Sequence, residues 1–445
     1  MPPKSYATAS PVLTVRAQKI LRSLLLFLVI CLLLVTHWSF QSRPAESSPA
    51  IHVQHVRTGR GGKWYIPRSW AHDASSTPSC DAATDIVDAA ECALRLALVN
   101  EAFLDNTQIP LITHQTARSA DPATWSSLVR RCVERWLAAA MIPHDAGAEM
   151  AWFMWDDAGL DAMMQKYESH FYPAFSSLPY PVEKADAFRI LVLKWFGGVY
   201  GDIDSQPLRH PSKWVQARDP EAWTDERGHK HAQRQTPQSP FIPPHDAPSS
   251  YASIASALHT SNSTVNAIFG IEADNPAEPD DAYWRMGYTY PVQLTNWALA
   301  MTPHHAVADR FLVALTSRIR DDEDDLPRID PLDITGPPAL TRVVKEYAEK
   351  NEADFEWQSL SSRSGHPGGR AKIVAGDILI LPITGFSPGR GRIGNMGSQS
   401  TGHPAARLQH MAAGSWRKAD LQVEYGKFCR TVFGLCREWS KFPDP

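Results

Sequence analysis

Two carboxylates separated by one residue, Asp202 and Asp204, close a stretch that reads ADAFRILVLKWFGGVYGDID. Acids this close repel each other unless a cation lies between them, and oxygen-only ligands suit a hard ion such as Mn²⁺ or Mg²⁺. A bare Asp-x-Asp is a weak signal, because most such pairs are solvated turns. This pair follows an apolar helix, a double glycine and a buried strand start, where charge is costly without a purpose. Upstream, Asp186 and Arg189 are three apart and share a helical face. They would bind sugar hydroxyls and a phosphate, or else form a surface ion pair worth little.

These side chains need elements to hold them. Ala185, Phe188, Leu191, Val192 and Trp195 recur at helical spacing, and Gly197-Gly198 ends that helix. Val199-Tyr200 begins a short strand running into the acids, and alternation points Asp202 and Asp204 to one face and Ile203 into the core. Upstream, Ile109–Thr116 is a short strand and Trp125–Met141 a helix with Leu128, Cys132, Val133, Trp136 and Leu137 on one side. Ala151–Trp155 is a second strand, and Asp156-Asp157 opens a helix, where an aspartate caps free N–H groups. Strand and helix alternate, so an α/β fold with a mostly parallel sheet is expected. Downstream, the strand Ala267–Asp274 delivers Glu272 and Asp274, and Gln293–Ala298, with Asn296, is read as helical after Pro291. Thr335–Thr341 starts another helix with proline in its first turn. Asp377–Pro382 is a buried strand, Gly385–Gly397 a glycine-rich loop, and His410–Trp416 reads HMAAGSW.

At 445 residues the chain holds one large or two modest domains. Its net charge of −4 leaves no basic excess for nucleic acid to use. Leu24–Val35 is an uninterrupted apolar run within a candidate span at 20–38, close to the roughly 20 residues that cross a bilayer. Lys4, Arg16, Lys19 and Arg22 precede it, which places the tail 1–19 in the cytoplasm and the rest in a lumen. His37, Trp38 and Phe40 stand where a cleavable leader would have small residues, so an anchor is favoured. Residues 39–107 are read as a stem, 108–418 as the catalytic domain, 217–263 as a surface loop insertion and 419–445 as a tail. Within the insertion His229, His231 and His245 are expected to be solvated, and Asn262 heads a glycosylation sequon. Five cysteines lie outside the apolar run, with Cys80–Cys92 and Cys429–Cys436 the expected local pairs.

The core stretch, together with IPLITHQT at 109–116, the Trp-Asp-Asp at 155–157, GIEAD at 270–274, QLTNW at 293–297, the Thr-Gly-Pro at 335–337 and HMAAGSW, resembles glycosyltransferase family 32. Within it, the chain resembles the fungal outer-chain initiating α-1,6-mannosyltransferases. Alanine at 117 departs from the aromatic usual in the family, and so does the long insertion. The resemblance implies a GT-A nucleotide-diphosphosugar transferase fold behind an N-terminal transmembrane helix, in a type II Golgi membrane enzyme with a luminal catalytic domain. It implies GDP-mannose as donor, an N-linked glycan mannose as acceptor, and retention of configuration. Asp202, Asp204 and His410 would hold Mn²⁺ (or Mg²⁺). Asp186, Arg189, Tyr200, Glu272, Asp274, Asn296 and Trp416 would line the donor or acceptor pocket. Two other readings stay open: a relative that mannosylates inositol-phosphoceramide, and a non-catalytic luminal glycan-binding protein.

Overall fold

The structure is a computed structural model that describes residues 52–71, 80–142, 147–234, 265–275, 282–322, 326–361, 369–389, 396–412, 420–437 and 439. The apolar run Leu24–Val35, Asn262, His245 and Trp416 lie outside the described residues. Among the described residues, no helix is long and apolar enough to cross a membrane.

A nine-stranded sheet organises the domain. Its strands are β1 (Arg57–Gly59), β2 (Gly62–Tyr65), β3 (Ile112–Thr116), β4 (Ala151–Trp155), β5 (Gly198–Gly201), β9 (Ala267–Asp274), β10 (Val292–Met301), β11 (Lys372–Val374) and β12 (Ile378–Leu381). Across the sheet the order is β1-β2-β4-β3-β5-β10-β9-β12-β11. The remaining strands form two ribbons, β6 (Ser205–Pro207) with β13 (Leu408–His410), and β7 (Trp223–Thr224) with β8 (Lys230–His231). Among the paired strands described, β3–β4, β3–β5 and β9–β12 are parallel and the others antiparallel. The expected mostly parallel sheet is therefore a mixed one. The alternation of strands and helices holds for β3 to β5, after which β10 runs back antiparallel between β5 and β9.

Helices cover the sheet on both faces, which is why β3, β4, β9 and β10 are buried along their whole length. They are α1 (Ile86–Val99), α2 (Ser127–Met141), α3 (Asp157–Tyr167), α4 (Pro181–Phe196), α5 (Ala306–Asp321) and α6 (Pro337–Asn351). Asp85, Ser126 and Asp156 cap α1, α2 and α3 by accepting backbone N–H groups. α2 packs on β4 and β6, whereas α1, α3 and α5 pack against α4. Since β3 to β4 and β4 to β5 step in opposite directions, right-handed crossovers put their helices on opposite faces.

The central helix is α4. Pro181 sits in its first turn, Glu183 accepts the Tyr180 N–H at 3.0 Å, and every residue from Asp186 to Phe196 is buried. Gly197 and Gly198 follow with φ of 61° and 93°. A Cβ on Gly198 would lie 2.3 Å from the Ile112 carbonyl oxygen, so the chain enters β5 only through glycine here.

Three expectations need correction. The supposed stem contributes β1 and β2, with Trp64 and Trp70 in the core. Its polar opening and turn glycines hid two short strands, β2 pairing with β4 and β1 with β2 at the sheet edge. The insertion begins with an ordered ribbon rather than a solvated loop. His231 there is buried against the Trp223 ring, with Glu352 2.6 Å from its Nδ1, whereas His229 is half-buried with its Nδ1 3.2 Å from Asp225 Oδ2. Gln293–Ala298 is strand, not helix: a register shift between Leu294 and Leu299 broke the alternation that marks a strand in sequence. Both expected disulfides form, and Cys132 is buried and free.

Candidate active site

The acidic pair does not lie on a strand. β5 stops at Gly201, and residues 202–204 turn tightly so that the Asp202 carbonyl accepts the Ser205 N–H at 2.9 Å and its hydroxyl at 2.6 Å. The turn, and not strand alternation, brings the two carboxylates together. Its backbone is held from three sides. Gln115 Nε2 donates to the Gly201 and Asp202 carbonyls at 3.3 Å, while Gln115 Oε1 accepts from Trp152 Nε1 at 2.9 Å. The Asp202 N–H donates to the Trp297 carbonyl at 2.8 Å. A Cβ on Gly201 would fall 2.5 Å from the Trp136 ring, so the approach to the turn is also closed sterically.

The third component arrives from the far end of the chain. β13 pairs with β6 in the register His410↔Ser205, which carries His410 alongside the turn. Its Nε2 lies 3.1 Å from Asp204 Oδ1, and the next N–H, of Met411, donates to the Asp204 carbonyl at 2.9 Å. Among the described residues, Asp202, Asp204 and His410 are the group that could hold a metal ion, with ligand atoms all within 4.8 Å of one another. Two carboxylates and an imidazole suit a divalent ion such as Mn²⁺. The ring nitrogen turned toward the acids is Nε2, the one that an ion held among the three residues would take.

Arg189 couples this cluster to the central helix. Its Nη2 lies 2.7 Å from Asp186 Oδ1 and 3.2 Å from Asp202 Oδ1, and its Nη1 donates to the Asn296 carbonyl at 2.9 Å. The guanidinium also sits over the Tyr200 ring, 5.2 Å from its centre. The surface ion pair is thereby ruled out, since the Asp186 side chain is 3% exposed and that of Arg189 7%. Burial lifts the Asp186 carboxyl to about 6. The Arg189 charge pulls it down, Asp202 pushes it up, and the facing Asn296 and Thr335 side chains draw it down. Burial also raises Asp202, against the pull of Arg189. The two flanking acids hold Arg189 firmly in its charged form.

The other expected site residues divide into two groups. Tyr200 joins the cluster by donating its hydroxyl to Asp202 Oδ1 at 3.0 Å, and Asn296 joins it through its carbonyl. Glu272 is buried on β9. Asp274 is fully buried and accepts from Ser361 Oγ at 2.5 Å, beside Lys372, whose ammonium burial pushes down to about 8. It belongs to a second polar cluster, not to the metal-type group. His114 is wholly buried, receives the Trp155 indole N–H at 3.2 Å and lies 3.1 Å from the Gly197 carbonyl, as a structural histidine does. Asp156 caps α3. Three residues of the site were not among the expected ones: Trp297, Gln115 and Thr335. Each stands inside a motif already noticed, namely the QLTNW, IPLITHQT and Thr-Gly-Pro stretches. Sequence spacing could not show that the Trp297 ring stacks on His410.

Comparison with known proteins bears on the same stretch. The family described as "Glycosyltransferase sugar-binding region containing DXD motif" matches residues 127–220, which hold α2, β4, α4, β5 and the acidic turn. An initiation-specific alpha-1,6-mannosyltransferase of Schizosaccharomyces pombe is 31% identical over 252 residues, covering 55% of this chain and 49% of its own length. That of Candida albicans is 26% identical, covering 55% of this chain and 56% of its own. A mannosyl phosphorylinositol ceramide synthase of Saccharomyces cerevisiae is 31% identical over 97 residues, 22% of this chain and 23% of its own. The chain thus spans about half the length of the initiation-specific relatives it matches. Among solved structures, a chain described as PaToxG Glycosyltransferase covers 60% of this chain and 79% of its own, at a TM-score of 0.29 and 11% identity, too loose a likeness to carry an argument.

Proposed function

We propose that this chain, a relative of glycosyltransferase family 32, is a metal-dependent glycosyltransferase of GT-A type that moves mannose from GDP-mannose to a mannose of an N-linked glycan. The observation that carries the reading is the convergence of Asp202, Asp204 and His410 from two distant segments onto one point. Nothing in the sheet's own stability calls for two acids facing each other there.

A divalent ion bound by these three residues would supply positive charge to offset the negative charge developing on a departing diphosphate. The chain's own residues do the rest by positioning. Arg189, fixed by Asp186 and the Asn296 carbonyl, holds the Asp202 carboxylate from behind and keeps it turned toward Asp204 and His410. Tyr200 donates to the same oxygen and fixes it from the strand. Asp186, being buried, acts through Arg189. A displacement of about 1 Å in such a site costs on the order of 10²-fold in rate. Retention of configuration, a Golgi location with a luminal catalytic domain, a single membrane span and glycosylation at Asn262 belong to the same proposal, as does a place for Glu272 and Trp416 in the pocket walls.

The test is incubation with a panel of nucleotide-sugars with and without Mn²⁺, followed by acceptor trials. GDP-mannose turnover that needs the metal, with transfer to a mannose-terminated N-glycan, is expected. Asp204→Asn should abolish that turnover while the protein still melts cooperatively, and undiminished activity would remove the metal from the account. The short match to the ceramide-directed relative makes inositol-phosphoceramide the acceptor to run in parallel. Transfer to it, and not to the glycan, would replace the acceptor while leaving the donor chemistry intact. Glycan binding without turnover would favour the non-catalytic reading.

A further inference from the structure

We infer that Trp297 is a positioning residue for the metal-type group, tying its two separate halves to each other. The inference rests on the reading of Asp202, Asp204 and His410 as a cation site. Trp297 lies where β10 departs from regular pairing with β9, between Leu294 and Leu299. The very next residue, Ala298, is back in register opposite Gly201 of β5. The irregular stretch lets one residue use both its backbone and its side chain on the site. Its carbonyl accepts the Asp202 N–H at 2.8 Å. Its indole stacks on the His410 ring, with centres 4.7 Å apart and planes 11° from parallel.

The two halves need such a link. Asp202 and Asp204 follow β5 of the main sheet and lead into β6, whereas His410 rides on β13, which among the described residues is joined to the rest by the short β6 and the Met411 N–H to the Asp204 carbonyl. A two-stranded ribbon of three residues a side is marginal by itself. Among the described residues, the other polar contact of the His410 ring is that of its Nε2 with Asp204 Oδ1. That contact fixes a distance but leaves the ring plane free to rotate. A flat indole against one face removes that freedom and fixes the direction in which Nε2 presents its lone pair or proton to the acids. The Trp297 side chain is itself 6% exposed, so it is held as a wall and does not sweep through solvent. Outer residues that orient metal ligands in this way are typically worth about 10- to 100-fold in metal affinity.

The backbone half of the link survives any substitution, so side-chain variants isolate the stacking half. Mn²⁺ binding by the full chain, followed by the loss of the free-ion electron paramagnetic resonance signal, gives a readout independent of turnover. Trp297→Leu should weaken Mn²⁺ binding by about 10-fold or more, and Trp297→Phe, which keeps a flat ring, should restore most of it. Thermal melts run alongside decide whether a loss is local: a leucine variant that folds with a modest drop in Tm and still binds weakly supports the proposal. Wild-type affinity in a folded leucine variant overturns it, as does a phenylalanine variant no better than leucine. If wild-type protein itself takes up no Mn²⁺, the cation-site reading has failed, a result distinct from either.

Discussion

The residue that decides how the site works is Arg189. It faces two carboxylates, Asp186 at 2.7 Å and Asp202 at 3.2 Å; Asp186 and Arg189 are nearly shut off from water and Asp202 is partly exposed. Such an arrangement tolerates the loss of no member, because removing one partner leaves an uncompensated buried charge at a cost of about 3–5 kcal/mol. Arg189→Met should therefore lower stability by that amount in a denaturant melt and reduce turnover by at least about 10²-fold. A fully stable variant would mean that the pair is bathed in water after all. The Asp186 carboxyl, lifted to about 6 by burial, adds a pH signature. Below that value it takes up a proton and releases its hold on Arg189, so activity should fall on the acid side with a midpoint near 6. The sign for stability is the reverse. A carboxyl raised in the folded state favours folding at low pH, and that contribution is lost as pH rises from its unfolded value through about 6. Asp186→Asn should lose the acid limb and most of the activity together. An unaltered limb in that variant would assign it to another group.

At the scale of elements, the approach to the acidic turn is set by sterics at a single glycine. Gly201→Ala would drive a methyl group into the Trp136 ring and toward Ser205 Oγ. Overpacking of this kind costs about 1–3 kcal/mol. The strain falls where Asp202 begins, so Mn²⁺ affinity should drop together with Tm, and an unchanged Mn²⁺ affinity would show that the turn is not positioned from β5. The elements also show what could be read in the chain and what could not. Helix α4, the double glycine and the strand β5 were plain, because an apolar helix stopped by glycines leaves its mark in every residue. The side on which the acids meet was reached by a wrong route, strand alternation, when a turn performs the task. The segment holding Asn296 and Trp297 was misread as helix, because a strand with an irregular stretch in its middle loses its period of two. His410 was found through its neighbours in sequence, but its distance from Asp204 depends on a ribbon between segments about two hundred residues apart, which no local pattern encodes.

The whole molecule is a mixed sheet with its first strands drawn from the stretch expected to be a stem. Those strands carry too few residues and too many polar ones to announce themselves. Their membership emerges only when β4 offers an edge to pair with. Burial keeps two of the molecule's histidines uncharged. His114 and His304 are both pushed down to about 3. A base whose pKa is lowered by folding gives stability that is complete above its unfolded value of about 6.5. That stability is lost as pH falls through 6.5 and is gone by about 3, at up to about 1.4 kcal/mol per pH unit for each group. Denaturant melts between pH 7 and 4 should show this decline, and a folded His114→Gln variant should show a shallower one. Equal slopes would mean that His114 is already hydrated in the native state. The central claim is tested most directly by diffraction at the manganese absorption edge from crystals grown with Mn²⁺ and GDP. The account predicts an anomalous peak within about 2.5 Å of carboxylate oxygens of Asp202 and Asp204 and of a nitrogen of His410. A peak elsewhere, or none in crystals of protein that turns over its donor, would contradict it.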